Sequence, residues 1–243
     1  MSAHRFYLAP ERWREEFPTL DPVESHHCAD VLRLAVGDKV TLFDGEGSVA
    51  DAELTGVHRK HCRVRIGERS VTPPLRCSLT LAQAVPKGKN MDLILQKGVE
   101  LGASTIVPLL TRRTVVRLDE EEGSRKRERW QQIVLEACKQ CGRNQTPEVT
   151  SPCSLEGFLK QSREGLLLIA SLQLGAVSIK EALAKAPSHP AVTMLVGPEG
   201  DFTPEESAIA LQAGAIPVTL GPMILRAETA ALYFLSVLGH ELF

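Results

Sequence analysis

Two short stretches hold residue types whose spacing could do chemistry. One is Leu195-Val196-Gly197-Pro198-Glu199-Gly200-Asp201-Phe202-Thr203-Pro204-Glu205-Glu206, and the other is Leu220-Gly221-Pro222-Met223-Ile224-Leu225-Arg226. Each follows an apolar run of strand character and precedes a helix. Glycines at such a place let the backbone come close to a ligand, or merely turn the chain. In open α/β sheets ligands bind outside the carboxyl ends of the strands, where both loops would lie. Neither loop is a P-loop, because the GxxxxGK[ST] pattern is absent. The second loop is apolar through Met223, Ile224 and Leu225. It could wrap a flat ring and offer backbone N–H and C=O groups to the ring edge, which suits an adenine better than a phosphate. Arg226 opposes the dipole of the helix that starts beside it, whereas Glu228 sits where that dipole favours an acid. A structural ion pair would account for Arg226. The functional alternative is an arginine held over the ligand or an RNA base.

The elements that must position these loops are legible in outline. Thr203 and Glu206 form a capping box with Pro204 at the first helical position, so a helix begins at Thr203 and runs to Ala213. Before residue 72 the sequence predicts a helix at Glu24–Leu34 and strands at Lys39–Phe43, Ser48–Leu54 and Val57–Ile66. Asp44-Gly45-Glu46-Gly47 is a hairpin turn signal. Gly45-Glu-Gly47-Ser-Val-Ala50 matches a dinucleotide fingerprint by letter but is followed by a strand, so the match is rejected. Thr72-Pro73-Pro74 breaks the pattern and marks a boundary between domains 1–72 and 73–243. Beyond it, strands are expected at Ser78–Val85, Thr105–Leu110, Leu166–Ala170, Ala191–Val196 and Ile216–Leu220. They alternate with helices at Lys89–Leu101, Glu121–Cys141, Ser154–Gln161, Ser178–Ala186 and Glu228–Leu242. That order predicts an α/β domain with a mostly parallel sheet.

Composition narrows the function classes. The chain has 243 residues, 43% of them hydrophobic and 24% charged, with a formal net charge of −2. These are the proportions of a soluble globular protein. No apolar run reaches the roughly 20 residues that span a bilayer, and the opening residues hold no secretory apolar core, so a cytoplasmic protein without a membrane partner is expected. Six cysteines without such a leader do not suggest disulfides. Cys138-Lys-Gln-Cys141 lacks a second ligand pair at zinc spacing, and His26-His27-Cys28 is too short to chelate alone, so no metal is expected. Residues 76–147 carry 13 Lys+Arg against 8 Asp+Glu, and residues 148–243 carry 5 against 10. A polyanion would favour the former, a small cationic ligand the latter. Within His58–Arg65, Arg59, Lys60, Arg63 and Arg65 form a basic stripe, which could equally be a solvated face.

The two glycine-proline motifs together resemble the SPOUT superfamily of methyltransferases and, within it, the RsmE family. Supporting stretches are Arg5-Phe6-Tyr7-Leu8, Val31-Leu32-Arg33-Leu34, Leu42-Phe43-Asp44-Gly45-Glu46-Gly47, Pro86-Lys87-Gly88, Met91–Lys97, Glu100-Leu101-Gly102 and Gln140-Cys141-Gly142-Arg143. The likeness covers nearly the whole chain in order. It implies a C-terminal α/β domain with a parallel sheet and a deep trefoil knot, behind a small N-terminal PUA-like β-barrel that holds RNA. It implies S-adenosyl-L-methionine as cofactor, a homodimer, and methylation of uridine N3 in small-subunit (16S) ribosomal RNA. Carried over, Val196, Gly197, Pro198, Glu199 and Gly200 form one wall of the cofactor site. Leu220, Gly221, Ile224, Leu225 and Arg226 form the other. Asp201 stands where the family usually has a second glycine, and Ser171-Leu172-Gln173 lacks the acid expected nearby. The cations expected to meet RNA are Arg33, Arg59, Lys60, Arg63, Arg65, Lys87, Arg112, Arg113 and Arg143.

The implied reaction is a single displacement at an already activated methyl group, so it needs no metal. Negative charge would develop on N3 and the flanking carbonyl oxygens. Arg226 is the expected partner of that charge, with Arg143 second. Glu199 or Glu228 could take the proton. Rival readings are methylation of a ribose 2′-hydroxyl, a non-catalytic ribosome-binding module, and a nucleotide-binding enzyme.

Overall fold

The computed structural model describes residues 4–161, 164–172, 175–185 and 190–243. Two compact units emerge: residues 1–74 with 135–146, and residues 75–134 with 147–243.

The first unit holds β1 (Arg5–Tyr7), β2 (Lys39–Phe43), β3 (Ser48–Gly56) and β4 (Arg63–Val71), paired in that order. β1 runs parallel to β2, and the β2–β3 and β3–β4 pairs are antiparallel. Inward side chains close a core of Phe6, Leu8, Trp13, Leu20, Cys28, Leu42, Leu54 and Val64. The predicted hairpin turn is held by its own aspartate, since Asp44 Oδ1 accepts the N–H groups of Glu46 and Ser48 at 2.8 and 2.9 Å. Two expectations shift. The helix α1 spans Pro22–His26, because Asp21 caps it by accepting the Glu24 N–H, and His27–Val31 continues as a π-type turn. The strand expected at Val57–Ile66 begins only at Arg63. His61 N–H returns to the His58 carbonyl and Cys62 N–H goes to Ser25 Oγ, which bends residues 57–62 out of the ladder.

Glu24 is 2% exposed and pairs with Lys139 Nζ, which also meets Glu136 Oε1 at 2.7 Å. Burial outweighs the ammonium's attraction, leaves Glu24 Oε2 without a partner, and pushes the carboxyl up from 4.5 to about 7. Between those values the folded chain keeps a proton that the unfolded chain has released. This contribution to stability is therefore complete below about pH 4.5 and is lost as pH rises through about 7, at a slope of at most about 1.4 kcal/mol per pH unit. Denaturant titrations across that window should show the slope in the parent chain and not in Glu24→Gln. An identical pH dependence in both would assign the effect elsewhere.

The second unit is built on a parallel sheet. Its strands are β5 (Ser78–Ala84), β6 (Ala103–Leu110), β7 (Glu148–Val149), β8 (Cys153–Ser154), β9 (Leu166–Ala170), β10 (Val177–Ser178), β11 (Ala191–Val196) and β12 (Ile216–Thr219). The order is β10-β12-β9-β11-β5-β6-β7, with β8 also on β6, and every pair is parallel. The middle strands are buried on both sides, as continuous runs such as Val192–Val196 require. Helices α2 (Asn90–Glu100), α3 (Glu120–Cys141), α4 (Leu155–Leu159), α5 (Ile179–Ala184), α6 (Pro204–Gln212) and α7 (Ala227–Leu242) connect them. Predicted bounds move by a few residues at several ends, and Ala186, the expected end of α5, lies outside the described residues. α7 packs on α2, β5 and β11 through Ala231, Phe234, Leu235 and Leu238. No described helix is long and apolar enough to cross a membrane.

Candidate functional site

β12, β9 and β11 are neighbours in the sheet, and the segments leaving their carboxyl ends surround a cavity of about 480 Å³. This is the place where parallel sheets hold ligands, and the volume is that of a small-molecule pocket. From the first expected wall, Val196, Gly197, Pro198 and Glu199 line it. From the second, Leu220, Gly221, Ile224, Leu225 and Arg226 do.

The first loop is set by local bonds. Asp201 N–H donates to the Pro198 carbonyl at 2.9 Å, and Asp201 adopts φ +62°. Aspartate is among the side chains that tolerate this region, and its Oδ1 accepts the Phe202 N–H at 2.7 Å. The conformation that a glycine would supply is thus kept by an aspartate. A Cβ at Gly197 would meet Asp201 Oδ1 at 3.1 Å and Phe202 N at 3.2 Å, so any side chain there requires the turn to give by a few tenths of an ångström. The capping box then starts α6. Thr203 Oγ1 accepts the Glu206 N–H, and Glu206 accepts the Thr203 N–H and, through Oε1, the Arg112 N–H at 2.8 Å.

Gly200 departs from expectation. It does not line the cavity; its carbonyl accepts a hydrogen bond from the Arg113 guanidinium, and a Cβ there would meet Arg113 Cδ at 3.2 Å. Glu199 is exposed, and its Oε1 accepts the Lys87 N–H at 2.9 Å, which ties the loop to the Pro86-Lys87-Gly88 turn after β5.

The second loop is more open. Thr219 Oγ1 bridges the N–H and carbonyl of Gly221, which adopts φ +110°, and no atom lies within 4 Å of where its Cβ would be. Met223 and Ile224 are 72% and 81% exposed while lining the cavity. Arg226 is the N-cap residue of α7; its carbonyl accepts the Ala230 N–H at 2.8 Å, while its guanidinium makes no hydrogen bond or ion pair with any described residue. The ion pair that would have explained it structurally is therefore missing among those residues. Glu228 lines the same cavity. The charged lining is Glu199, Asp201, Glu228 and Arg226, which favours a ligand carrying positive charge.

Arg143 is not among the residues lining this cavity. It belongs to the first unit, where burial lowers its guanidinium below the usual arginine range. Of the basic stripe, Arg59 pairs with Asp30 and Arg65 with Glu53, each at 2.9 Å, while Arg63 and Arg65 stand outward on either side of buried Val64. Lys60, Lys87 and Arg33 are exposed, Arg33 with φ +54°. Arg112 lies 3.6 Å from Glu205.

Residues 73–239 match the family described as RNA methyltransferase domain, and residues 20–67 match the RNA methyltransferase PUA domain. The chain belongs to the RNA methyltransferase family. It is 32% identical over 235 residues to the Ribosomal RNA small subunit methyltransferase E of Bacillus subtilis, covering 93% of this chain and 92% of that one. It is 34% identical over 232 residues to the protein of that name from Synechocystis, covering 94% and 74%. The crystal structure of a Ribosomal RNA small subunit methyltransferase E from Neisseria gonorrhoeae, bound to S-adenosyl methionine, superposes with a TM-score of 0.88 at 34% identity over 99% and 98% of the two chains.

In this RNA methyltransferase the cavity also takes Met223, from the apolar run of the second loop, and Asn90, Ala170, Ser171, Leu172, Ala227 and Ala230, which sequence motifs did not single out as wall residues. The segment after β9 was in view only as Ser171-Leu172-Gln173, and Gln173 lies outside the described residues. Asn90 carries no local signal; the fold brings the start of α2 to the cavity. The lone Cys138/Cys141 pair divides into one buried and one exposed thiol, and no group of three metal-ligating side chains occurs among the described residues.

Proposed function

We propose that this methyltransferase uses S-adenosyl-L-methionine, bound in the cavity at the carboxyl ends of β12, β9 and β11, to methylate N3 of a uridine in small-subunit (16S) ribosomal RNA. The observation that carries the reading is the meeting of both glycine-proline loops around one cavity that also presents Arg226, whose guanidinium has no partner among the described residues. The residues fit the cofactor. Gly221 leaves room for a ring edge against the backbone, Ile224 and Leu225 supply an apolar wall, and Glu199, Asp201 and Glu228 match the positive charges of an ammonium and a sulfonium. When bound, the cofactor supplies an activated methyl group. The chain's part is to orient the ring nitrogen, to receive its proton, and to balance the charge that develops. Arg226 is assigned to that charge, and Glu199 or Glu228 to the proton. Holding both reactants in place supplies much of the remaining rate.

The same reading takes residues 1–72 as the RNA-holding, PUA-like domain and residues 73–243 as the catalytic domain, threaded as a trefoil knot. It takes the exposed cations Arg33, Lys60, Lys87 and Arg63 as RNA contacts. It also takes the working unit as a homodimer. Met223, Ile224 and Tyr233 are large exposed apolar side chains on the second loop and α7, and a two-fold interface would cover them. Such an interface would bury on the order of 2,000 Å² or more.

Nuclease digestion and mass spectrometry of ribosomal RNA from a deletion strain, before and after incubation with the purified chain, test the reading. One methyl group should appear on one uracil base of the small-subunit RNA. Methyl on a ribose would instead support the 2′-hydroxyl alternative, and no transfer with cofactor bound would overturn both.

A further inference from the structure

A second cavity, about 350 Å³, opens within the first unit, and none of the residues assigned above lines it. Its base is the Trp13 indole, 7% exposed and fixed by a 2.7 Å hydrogen bond from Nε1 to the Leu8 carbonyl. The Arg69 guanidinium lies over that ring, 5.8 Å from its centroid. Arg69 is exposed, with no ion pair among the described residues. Asp44 enters the same cavity at 6% exposure. Its Oδ1 is used by the Glu46 and Ser48 N–H groups, and its Oδ2 accepts nothing from the described residues. Arg14 and Glu46 stand at the rim.

This set selects a chemistry. A phosphate would meet the Asp44 and Glu46 carboxylates, and a cation would meet two arginines. A flat, neutral ring satisfies both: it can stack on the outer face of the guanidinium and turn hydrogen-bond donors toward the carboxylates. Among RNA bases guanine presents two adjacent donors, N1–H and the 2-amino group. Uracil presents one donor between two carbonyls, and adenine and cytosine present an amino group beside a ring acceptor. We propose that this cavity seats a guanine base splayed out of the RNA that the enzyme methylates, with Arg69 as stacking platform and Asp44 Oδ2 as the acceptor that selects it. The inference rests on the RNA-methylating function proposed above.

Trp13 fluorescence reports the site once Trp130, the second of two tryptophans, is replaced by Phe. Calorimetry on the unsubstituted chain supplies the same ranking if that replacement disturbs folding. Titration with UUGU, UUAU, UUCU and UUUU ribonucleotides should show binding at least tenfold tighter for UUGU, the discrimination expected of one good base contact. Asp44→Asn keeps an Oδ1 to hold the turn but puts a donor where Oδ2 was. It should erase the preference while leaving S-adenosyl-L-methionine binding unchanged. Equal affinity for all four, or a preference that survives in Asp44→Asn, overturns the proposal. So does 5′-guanosine monophosphate binding as tightly as UUGU, which would make this a free-nucleotide site. Guanine preference without rRNA methylation would overturn the uridine reading and leave this site standing.

Discussion

Gly221→Val should remove measurable binding of S-adenosyl-L-methionine from an otherwise folded protein. The position is exposed, and no atom lies within 4 Å of where its Cβ would be, so no packing is lost. Gly221 lines the cavity, and a branched side chain on this loop is expected to take room that a bound ring edge needs. The φ of +110° adds a second effect, since an L side chain there costs on the order of 1–3 kcal/mol and would shift the loop. Gly221→Ala separates the two, because it carries the backbone strain with far less filling, and should bind weakly rather than not at all. Isothermal titration gives the affinity, and circular dichroism with a thermal melt checks the fold. An unchanged titration in folded Gly221→Val would mean that the cofactor lies elsewhere.

Arg226→Ala should bind the cofactor and turn over about a hundredfold more slowly, the order seen when one partner of transition-state charge is removed. That is about 2.7 kcal/mol of barrier. Arg226 lines the cavity, precedes a helix whose dipole it opposes, and its guanidinium has no partner among the described residues to explain it. Arg226→Lys should recover part of the rate, since it restores charge without the fork of donors. Single-turnover methylation with saturating cofactor isolates the chemical step. A normal rate in Arg226→Ala would leave Arg226 no part in that step.

Much of this site was readable before the fold, because its signals are local. The Thr203–Glu206 capping box depends on four consecutive residues, and it forms as read. The glycine-proline loops follow strands whose apolar runs are continuous, which points to a buried parallel sheet. What the sequence did not show depends on distant bonds. The Gly200 carbonyl is taken by Arg113, far away in sequence. The strand after Gly56 started late because Ser25 captures the Cys62 N–H. Asp201 looked like a defect by residue type; its φ of +62° shows how an aspartate can hold a glycine-like turn. Asn90 lines the cavity through tertiary placement alone.

The path of the chain has its own consequence. α3 begins in the second unit, and from Leu135 its last turns count with the first, as do the residues up to Thr146. Within the first unit those residues work as integral parts. Asn144 bonds Arg5 and Thr72, Gln145 bonds the Thr72 carbonyl, and Lys139 pairs with Glu24. The polypeptide therefore passes between the units three times, once in mid-helix, and the two are not beads on a string. Neither can be inherited, swapped or expressed as one uninterrupted piece of gene. Cutting at residue 72 would leave the first unit without the twelve-residue segment 135–146.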